Sequence, residues 1–209
     1  MKVIIGRYDS PVGEMILGEA SGRLCLCDWN TGHRAQHSMR RLARLLKAEF
    51  SEEGTPLPER VKAEFREEGT PLPEHGKAEF SEGASPLLER VRAELDEYFA
   101  GRRRSFDIPL QMAGTPFQMR VWQALLEIPY GETRTYARIA QITGNALGAR
   151  AAAQAIGANS IGILIPCHRV IGSDRSLTGF AGGLAAKRAL LELENPGLFP
   201  HIKSHCRHH

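Results

Sequence analysis

The spacing of apolar and polar residues changes along the chain and predicts strands first and helices later. Residues 2–8, 14–18 and 24–29 are short apolar or alternating runs bounded by turn signals, which predicts three strands. Apolar residues then recur every three or four positions over 40–50 and 85–100, as on one face of a helix. The N-terminal half is therefore predicted to be an α/β unit.

Helical spacing continues in the second half of the chain. Thr115-Pro-Phe-Gln118 is a capping box with proline in the first helical position. Thr135 precedes a short helix over 136–143, and a small-residue helix follows over 148–157. Because two short helices joined by a tight glycine-containing turn are typical of a helix-turn-helix, we expect that motif here.

An apolar run over 161–165 ends on Pro166 and places Cys167 beside His168. The run predicts a short buried strand or extended segment, and proline, which lacks a backbone donor, ends its pairing. Because a thiolate is the reactive form of cysteine and an imidazole can help to generate it, the motif indicates a nucleophilic cysteine. An inert buried thiol is the alternative, since neighbouring side chains in an extended chain point to opposite faces.

The last predicted helix, 184–194, turns a carboxylate toward a partly apolar face. Leu184, Lys187, Leu191 and Glu194 fall on one stripe of this helix. Burying an unpaired charge is costly. We therefore expect Glu194 to have a partner.

A 15-residue repeat separates the two halves. Residues 47–61 recur as 62–76 and, in a degraded form, as 77–91. The period is shorter than that of the usual solenoids, and three copies could still form a small helical stack. We favour a tandem insertion in a tolerant surface connection, because long surface insertions cost little closure entropy.

Composition excludes a membrane-spanning protein and leaves a globular one. The 209 residues are 42% hydrophobic and 24% charged, without an apolar run of membrane-spanning length. The first residues lack a signal-peptide pattern and four cysteines make no disulfide framework, so we expect an intracellular, reducing location such as the cytoplasm. Net charge is −4 over 1–100 (14 Lys+Arg against 18 Asp+Glu) and +7 over 101–209 (13 against 6). A basic second half suits phosphate binding, although ordinary surfaces can also be basic.

Two groups of potential metal ligands are not interpreted as metal sites. Cys25 and Cys27 alternate on a predicted strand and are expected to share one face as small hydrophobic residues, since no paired ligands lie nearby. Residues 201–209 carry four histidines and Cys206, for which a frayed terminus is favoured over metal binding. No metal site is predicted.

The segment Pro166-Cys-His-Arg-Val-Ile171, with Asn159 upstream and Gly179-Phe-Ala-Gly-Gly183 downstream, resembles the O-6-alkylguanine-DNA alkyltransferase family. Ordered matches cover 115–194. The N-terminal half matches weakly, through Asp9-Ser-Pro-Val-Gly13.

The resemblance implies a fold, an activity and a lack of cofactors. The fold is a ribonuclease-H-like α/β domain over 1–104 that carries the repeats, a mainly α domain with a winged helix-turn-helix over 105–198, and a disordered tail over 199–209. The activity is DNA repair by direct, irreversible transfer of an alkyl group to Cys167, from O-6 of guanine or O-4 of thymine in double-stranded DNA. Each molecule would act once, as a monomer, without cofactor, metal, membrane or obligate protein partner.

The resemblance also implies roles for individual residues. Glu194 is expected to orient His168, which through a bound water draws the proton from Cys167. The small-residue helix is expected to lie in the DNA minor groove, with Ala149 at the contact and Arg150 inserted into the base stack. The pocket for the extruded base is expected to involve four further residues: Tyr136, Asn159, Val170 and Ala181. Tyr136 is also expected to contact the neighbouring phosphate. Without the resemblance, Tyr136 is a core aromatic and Arg150 a solvated side chain.

Four positions depart from the family pattern. Ser160 replaces a proline after the asparagine, which is expected to loosen that turn, and Phe180 replaces a tyrosine. Arg175 occupies a turn position that is usually glycine, so we expect strain there. Gly162 stands where some members carry bulkier residues, which predicts tolerance of alkyl groups larger than methyl.

Two other functions compete with alkyl transfer. Non-enzymatic alkyltransferase-like proteins bind damaged DNA but lack the reactive cysteine, whereas Cys167 is present. The second alternative is a helix-turn-helix regulator with a fused sensor domain. That function does not explain why Glu194 lies on an inward stripe of the last helix.

Overall fold

A computed structural model describes residues 2–31, 33–47, 49–52, 85–144 and 148–201. The N-terminal half contains a four-stranded sheet of order β3-β2-β1-β4, in which β1 runs antiparallel to β2 and parallel to β4. Two helices flank this sheet. The elements are β1 (Lys2–Ser10), β2 (Gly13–Ala20), β3 (Arg23–Trp29), α1 (His33–Leu46), β4 (Glu49–Glu52) and α2 (Pro86–Phe99).

The C-terminal half is mainly helical, with a two-stranded parallel ribbon of β5 and β6. A single 3-10 turn, Cys167–Arg169, precedes β6, and a second 3-10 helix, Pro196–His201, follows the last α-helix. The remaining elements are α3 (Pro116–Leu126), β5 (Arg134–Thr135), α4 (Tyr136–Ile142), α5 (Gly148–Gly157), β6 (Val170–Ile171) and α6 (Gly183–Glu194). The predicted combination of an α/β unit and a helical unit is confirmed.

Local capping signals place the helix ends where the sequence predicts them. The Ser85 hydroxyl accepts a hydrogen bond from the Leu88 amide and starts α2, and Gly101 with φ +72° follows its end. The Thr115 capping box is complete, because Thr115 accepts from the Gln118 amide and Gln118 accepts from the Thr115 amide. The Thr135 side chain caps α4 in the same way.

The first helix differs from the prediction. The pattern over 40–50 predicts one helix, whereas α1 covers His33–Leu46 and the chain then enters β4. Leu45, taken as part of the apolar stripe, is 46% exposed. Residues Glu49–Glu52 pair with β1 instead, because hydrogen bonding along the sheet outweighs a weak local helical preference.

A β-bulge changes the alternation on β3. Gly18 lies opposite Leu26 and Glu19 opposite Leu24, so Cys25 has no partner across the strand pair. Cys25 therefore packs on the side of the sheet that α1 covers, while Cys27 joins the large core between the two halves. The prediction that the two cysteines share a face is wrong for this reason.

The free edge of β3 joins the two halves. The Leu24 amide donates to Pro109 O (2.9 Å), and the Cys27 amide donates to Ser160 O (2.8 Å). The Gly162 amide in turn donates to Cys27 O (2.6 Å). Backbone from the C-terminal half thus continues the sheet, and one apolar core runs from α2 across β3 into the helical half.

The predicted strand over 161–165 is a compact turn. Leu164 N donates to Gly162 O and Ile165 N donates to Ile161 O, and Ile163 has φ +68°. Apart from the bridge between Ile161 and Cys27, the run does not pair as a strand. Burial of its apolar side chains inside the core, rather than sheet pairing, explains its composition.

Two predicted regions fall largely outside the described residues. Most of the repeat region, 53–84, and positions 202–209 of the tail are among them. The 3-10 helix Pro196–His201 extends into residues 199–201, the first part of the predicted tail. Within the described ranges, no helix combines the length and apolar character needed to cross a lipid bilayer.

Candidate active site

The Cys167 turn is built by a proline and an asparagine. Pro166 ends the compact turn, and the Cys167 amide donates to Ile165 O (2.8 Å). The Asn159 side chain donates to Ile165 O (3.0 Å) and accepts from the Ile161 amide (3.0 Å). Cys167 is held in one place with its side chain 7% exposed.

Glu194 is the centre of a buried hydrogen-bond cluster. Its Oε1 lies 2.8 Å from His168 Nε2, and its Oε2 accepts from Arg169 Nε (2.8 Å) and from the Gly131 amide (3.1 Å). Arg169 Nη2 also donates to Oε1 (2.9 Å). The Tyr98 hydroxyl donates to the same oxygen (2.8 Å). The two partners suggested by the resemblance, His168 and Glu194, are thus in direct contact, with both side chains fully buried.

The charge states of this pair follow from their surroundings. Burial alone would raise the pKa of Glu194, but the hydrogen bonds and charges of His168 and Arg169 outweigh it and hold that pKa well below its usual range. Burial lowers the pKa of His168, and Glu194 opposes that shift. A carboxylate therefore faces a neutral imidazole, which donates through Nε2.

The other ring nitrogen of His168 is unpaired. Within the described part of the chain, Nδ1 is buried and makes no hydrogen bond. Because Nε2 carries the proton, Nδ1 presents a lone pair that can accept one. A buried acceptor of this kind needs a donor such as a water molecule, since an unsatisfied polar group is costly.

Cys167 is a thiol in this environment. Burial raises the pKa of Cys167, while hydrogen bonding by Asn159 and the positive charge of Lys187 offset part of the shift. The sulfur is therefore protonated near neutral pH. Its proton must leave when a reaction takes place.

Lys187 is a buried cation that sequence reasoning put on the inward stripe without assigning it a role. Its Nζ donates to Val170 O (2.5 Å) and Thr178 O (2.8 Å), and it lies 3.5 Å from the Tyr136 hydroxyl. Burial lowers the pKa of Lys187 to about 8. The ammonium ties the residues after Cys167 to Tyr136, whose hydroxyl also donates to Thr178 O (3.1 Å).

Arg169 and Tyr98 are the other site residues that sequence reasoning missed. Arg169 follows His168 directly, so a buried arginine next to the motif could have been suspected as the partner of Glu194. Tyr98 lies 96 residues before Glu194 and appeared only as one member of the apolar stripe of a helix. A non-local contact of this kind leaves no trace in sequence spacing.

Trp29 occupies the space above Gly162. A Cβ atom on Gly162 would lie 2.7 Å from the Trp29 ring, and one on Gly182 would lie 2.6 Å from it. The Phe180 ring meets the indole edge-on at 4.9 Å. An indole from β3 thus fills the space above Gly162. The expected tolerance of alkyl groups larger than methyl stays a prediction.

The other departures from the family pattern have structural counterparts. The Ser160 hydroxyl donates to Cys25 O (3.3 Å), which adds a link to β3 that proline could not make. Arg175 has φ +64°, the left-handed region that favours glycine, as predicted for a strained turn. Ala181, in the segment after this turn, is partly buried against the main core, and Val170 is fully buried in it.

The two short helices of the expected helix-turn-helix, α4 and α5, pack against each other, and residues 145–147 of their connection lie outside the described residues. α5 buries Ala152, Ala155 and Ile156, and Trp122 Nε1 donates to Ala155 O (2.8 Å). Ala149 and Arg150, at the start of α5, are exposed. Among the described residues, no cluster of three or more His, Cys, Asp or Glu side chains could hold a metal ion.

Fold and site together define a two-domain class in which a buried thiol and a His-Glu pair lie beside a helix-turn-helix. The family model described as 6-O-methylguanine DNA methyltransferase, ribonuclease-like domain, matches residues 3–112, and the model of the DNA binding domain of that protein matches 116–196. The chain belongs to the 6-O-methylguanine DNA methyltransferase family.

Individual relatives agree with the family assignment. A methylated-DNA–protein-cysteine methyltransferase of Mycobacterium bovis is 57% identical over 100 residues, which are 48% of this chain and 61% of that protein. A constitutive one of Bacillus subtilis is 53% identical over 97 residues, 46% of this chain and 59% of that protein. The chain thus aligns with about three fifths of the length of these curated relatives.

Solved structures match over more of the chain. The crystal structure of Mycobacterium tuberculosis O6-methylguanine methyltransferase is 38% identical, covers 93% of both chains and has a TM-score of 0.64. A structure of the Mycobacterium tuberculosis protein in complex with DNA is 34% identical, covers 94% of both chains and has a TM-score of 0.65.

Proposed function

We propose that this protein repairs DNA by transferring an alkyl group from O-6 of guanine, and also from O-4 of thymine, in double-stranded DNA to Cys167. The observation that carries the proposal is the buried His168-Glu194 pair, 2.8 Å apart, at the residue that follows Cys167, with the imidazole Nδ1 unpaired among the described residues. A neutral base that is fixed by a carboxylate and lies one residue from a thiol suits nucleophilic catalysis by cysteine.

The transfer balances without a cofactor. The Cys167 proton passes through a water to Nδ1 of His168, the sulfur forms a bond to the alkyl carbon, and the bond from that carbon to O-6 breaks. The electron pair stays on the guanine, which takes up the proton that the imidazolium returns. Because the pKa of the resting thiol is raised, deprotonation is coupled to arrival of the substrate. The thioether product is stable, so each protein molecule acts once.

The base must leave the duplex before this chemistry can occur. A side chain cannot reach O-6 of a stacked guanine, and extrusion costs a few kcal/mol that protein contacts must offset. We propose that α5 enters the minor groove, that Arg150 fills the vacated place in the stack, and that Ala149 allows a close approach. The exposure of both side chains and the charge of +7 over residues 101–209 support this mode. Tyr136, Asn159, Val170 and Ala181 would surround the extruded base.

We further propose that the protein acts as a monomer in a reducing compartment, where its thiols remain free. Cys25, Cys27 and Cys167 form no disulfide with one another. We also propose that residues 1–104 and 105–198 are the two domains of the chain, followed by a tail over 199–209.

Cys167→Ser is expected to abolish alkyl transfer. Wild-type protein mixed with a duplex that contains one O-6-methylguanine should gain the mass of a single methyl group, and the serine variant should gain none, because an unactivated hydroxyl is a far weaker nucleophile. Intact-mass spectrometry measures both. Cys25→Ser is the matched control, a buried cysteine on the far side of the sheet, and should be methylated like the wild type. Methylation of the Cys167→Ser protein would contradict the assignment.

Arg150→Ala is expected to slow transfer from duplex DNA by roughly tenfold, because it removes a group that offsets the cost of base extrusion. Transfer from the free base O-6-methylguanine should be unchanged, since no duplex has to open. Arg188→Ala on α6, which removes an exposed arginine paired with Glu192, is the control for loss of one positive charge. Equal rates for Arg150→Ala and wild type on duplex DNA would refute a role for Arg150.

A further inference from the structure

Tyr98 connects the N-terminal half of the chain to the catalytic carboxylate. The residue lies on α2, is fully buried, and donates its hydroxyl to Glu194 Oε1 at 2.8 Å. Its ring packs against the rings of Phe106 (5.5 Å between centroids) and Tyr130 (6.2 Å). The phenol therefore has little freedom to turn away from the carboxylate.

The same oxygen serves both Tyr98 and His168. Glu194 Oε1 accepts from His168 Nε2 (2.8 Å), from Arg169 Nη2 (2.9 Å) and from the Tyr98 hydroxyl (2.8 Å). Each donor stabilises the negative charge on the oxygen and so lowers its attraction for the protons of the other donors. His168 and Arg169 come from the Cys167 turn itself, whereas Tyr98 comes from a helix before the linker.

We propose that Tyr98 is a positioning residue for alkyl transfer, whose hydroxyl limits how strongly Glu194 holds the His168 proton and thereby keeps His168 a neutral base down to lower pH. This inference rests on the proposed transfer to Cys167. Through the hydrogen bond from Tyr98 to Glu194, the N-terminal half of the chain would directly affect proton transfer to His168.

Other charges around His168 set the background for this effect. Glu194 favours the imidazolium, while burial and the charges of Arg169 and Lys187 disfavour it, so the pKa of His168 is lowered overall. The Cys167 thiol is neutral, and the Tyr130 hydroxyl donates to Leu193 O rather than to the carboxylate. Burial and the neighbouring Glu194 raise the pKa of Tyr98 well above its usual value, so the phenol remains a donor.

The sign of the expected change follows from these contacts. Tyr98→Phe removes one donor from Oε1, so the carboxylate attracts the imidazolium more strongly and the pKa of His168 rises. Since only neutral His168 accepts the thiol proton, the transfer rate should begin to fall at a higher pH. We expect the midpoint of the acid limb to move up by about 0.5–1 pH unit. A merely structural role would lower the rate by one factor at every pH.

The test is the pH profile of transfer to Cys167 for wild type, Tyr98→Phe and Tyr8→Phe. Tyr8→Phe is the matched control, because the Tyr8 hydroxyl donates to Asp96 at 2.8 Å on the same helix but does not contact Glu194. Its profile should coincide with that of the wild type. The titration of the His168 ring, followed by NMR with His168→Gln used for assignment, should show the same upward shift without any substrate.

The outcomes separate this inference from the proposed function. No methyl adduct on wild-type Cys167 would remove the proposed transfer, whatever Tyr98 does to the NMR titration. A reactive wild type together with an unshifted Tyr98→Phe profile would overturn the role of Tyr98 alone. An equal shift in Tyr8→Phe would also overturn it, because the effect would then not arise at Glu194.

Discussion

Glu194→Gln is expected to destabilise the folded protein by about 3–5 kcal/mol, since breaking a buried ion pair leaves the other charge uncompensated. The Arg169 guanidinium, which donates to both carboxylate oxygens, would face a neutral amide. In either orientation the amide NH2 would face groups that are themselves donors, the Gly131 amide on one side or the Tyr98 hydroxyl on the other. Transfer to Cys167 should slow by roughly 10²–10⁴-fold, because His168 loses the group that fixes its tautomer.

Urea unfolding and single-turnover rates measure the two effects. Glu192→Gln is the control on the same helix, where an exposed pair with Arg188 should contribute less than about 1 kcal/mol. Folding lowers the pKa of Glu194 from its usual 4.5, so its contribution is complete above that pH and is lost as the pH falls below it. The wild type and Glu194→Gln should therefore converge in stability at acidic pH. A constant difference down to low pH would contradict this assignment.

Trp29→Ala is expected to lower the free energy of unfolding by about 3–5 kcal/mol, because the missing indole leaves a cavity. The ring is fully buried, packs against Gly162 and Gly182, and supports Phe180. Because Phe180 also meets the His168 ring edge-on at 6.5 Å, we expect transfer to slow as well.

A double-mutant cycle isolates the contact between Trp29 and Gly182. Gly182→Ala alone should cost about 1–3 kcal/mol, since its Cβ would overlap the indole. In a Trp29→Leu background the same substitution should cost less by at least about 0.5 kcal/mol. Gly157→Ala is the control, because a Cβ there meets nothing within 4 Å. Additive costs would show that the indole does not occupy the space above Gly182.

Signals confined to a few neighbouring residues were predictable from the sequence. Ser85 and Thr115 start helices where their hydroxyls can reach an amide three residues on, and this depends on local geometry alone. The stripe predicted on α6 likewise indicated a partner for Glu194, because helical spacing fixes which side chains share a face. Three of its four members are buried, whereas Leu184 is 42% exposed.

Features that depend on distant pairing were not predictable. The bulge at Cys25 is set by the register between β2 and β3, and β4 exists because β1 offers it an edge. The run over 161–165 has the composition of a strand, yet burial alone accounts for its apolar residues. In the sequence Tyr98 looks like an ordinary core residue. Its hydroxyl can donate to Glu194 only because α2 packs against the end of α6 in the folded protein.

The contact between β3 and residues 160–162, which lead into the Cys167 turn, has a consequence for aggregation. A strand edge with free amide and carbonyl groups is a template on which other chains can add. Ser160 and Gly162 cover that template by pairing with both backbone groups of Cys27. A substitution or denaturant that separates residues 160–162 from β3 therefore displaces the Cys167 turn and exposes a strand edge that can pair with other chains. Loss of activity and onset of self-association should then occur at the same denaturant concentration.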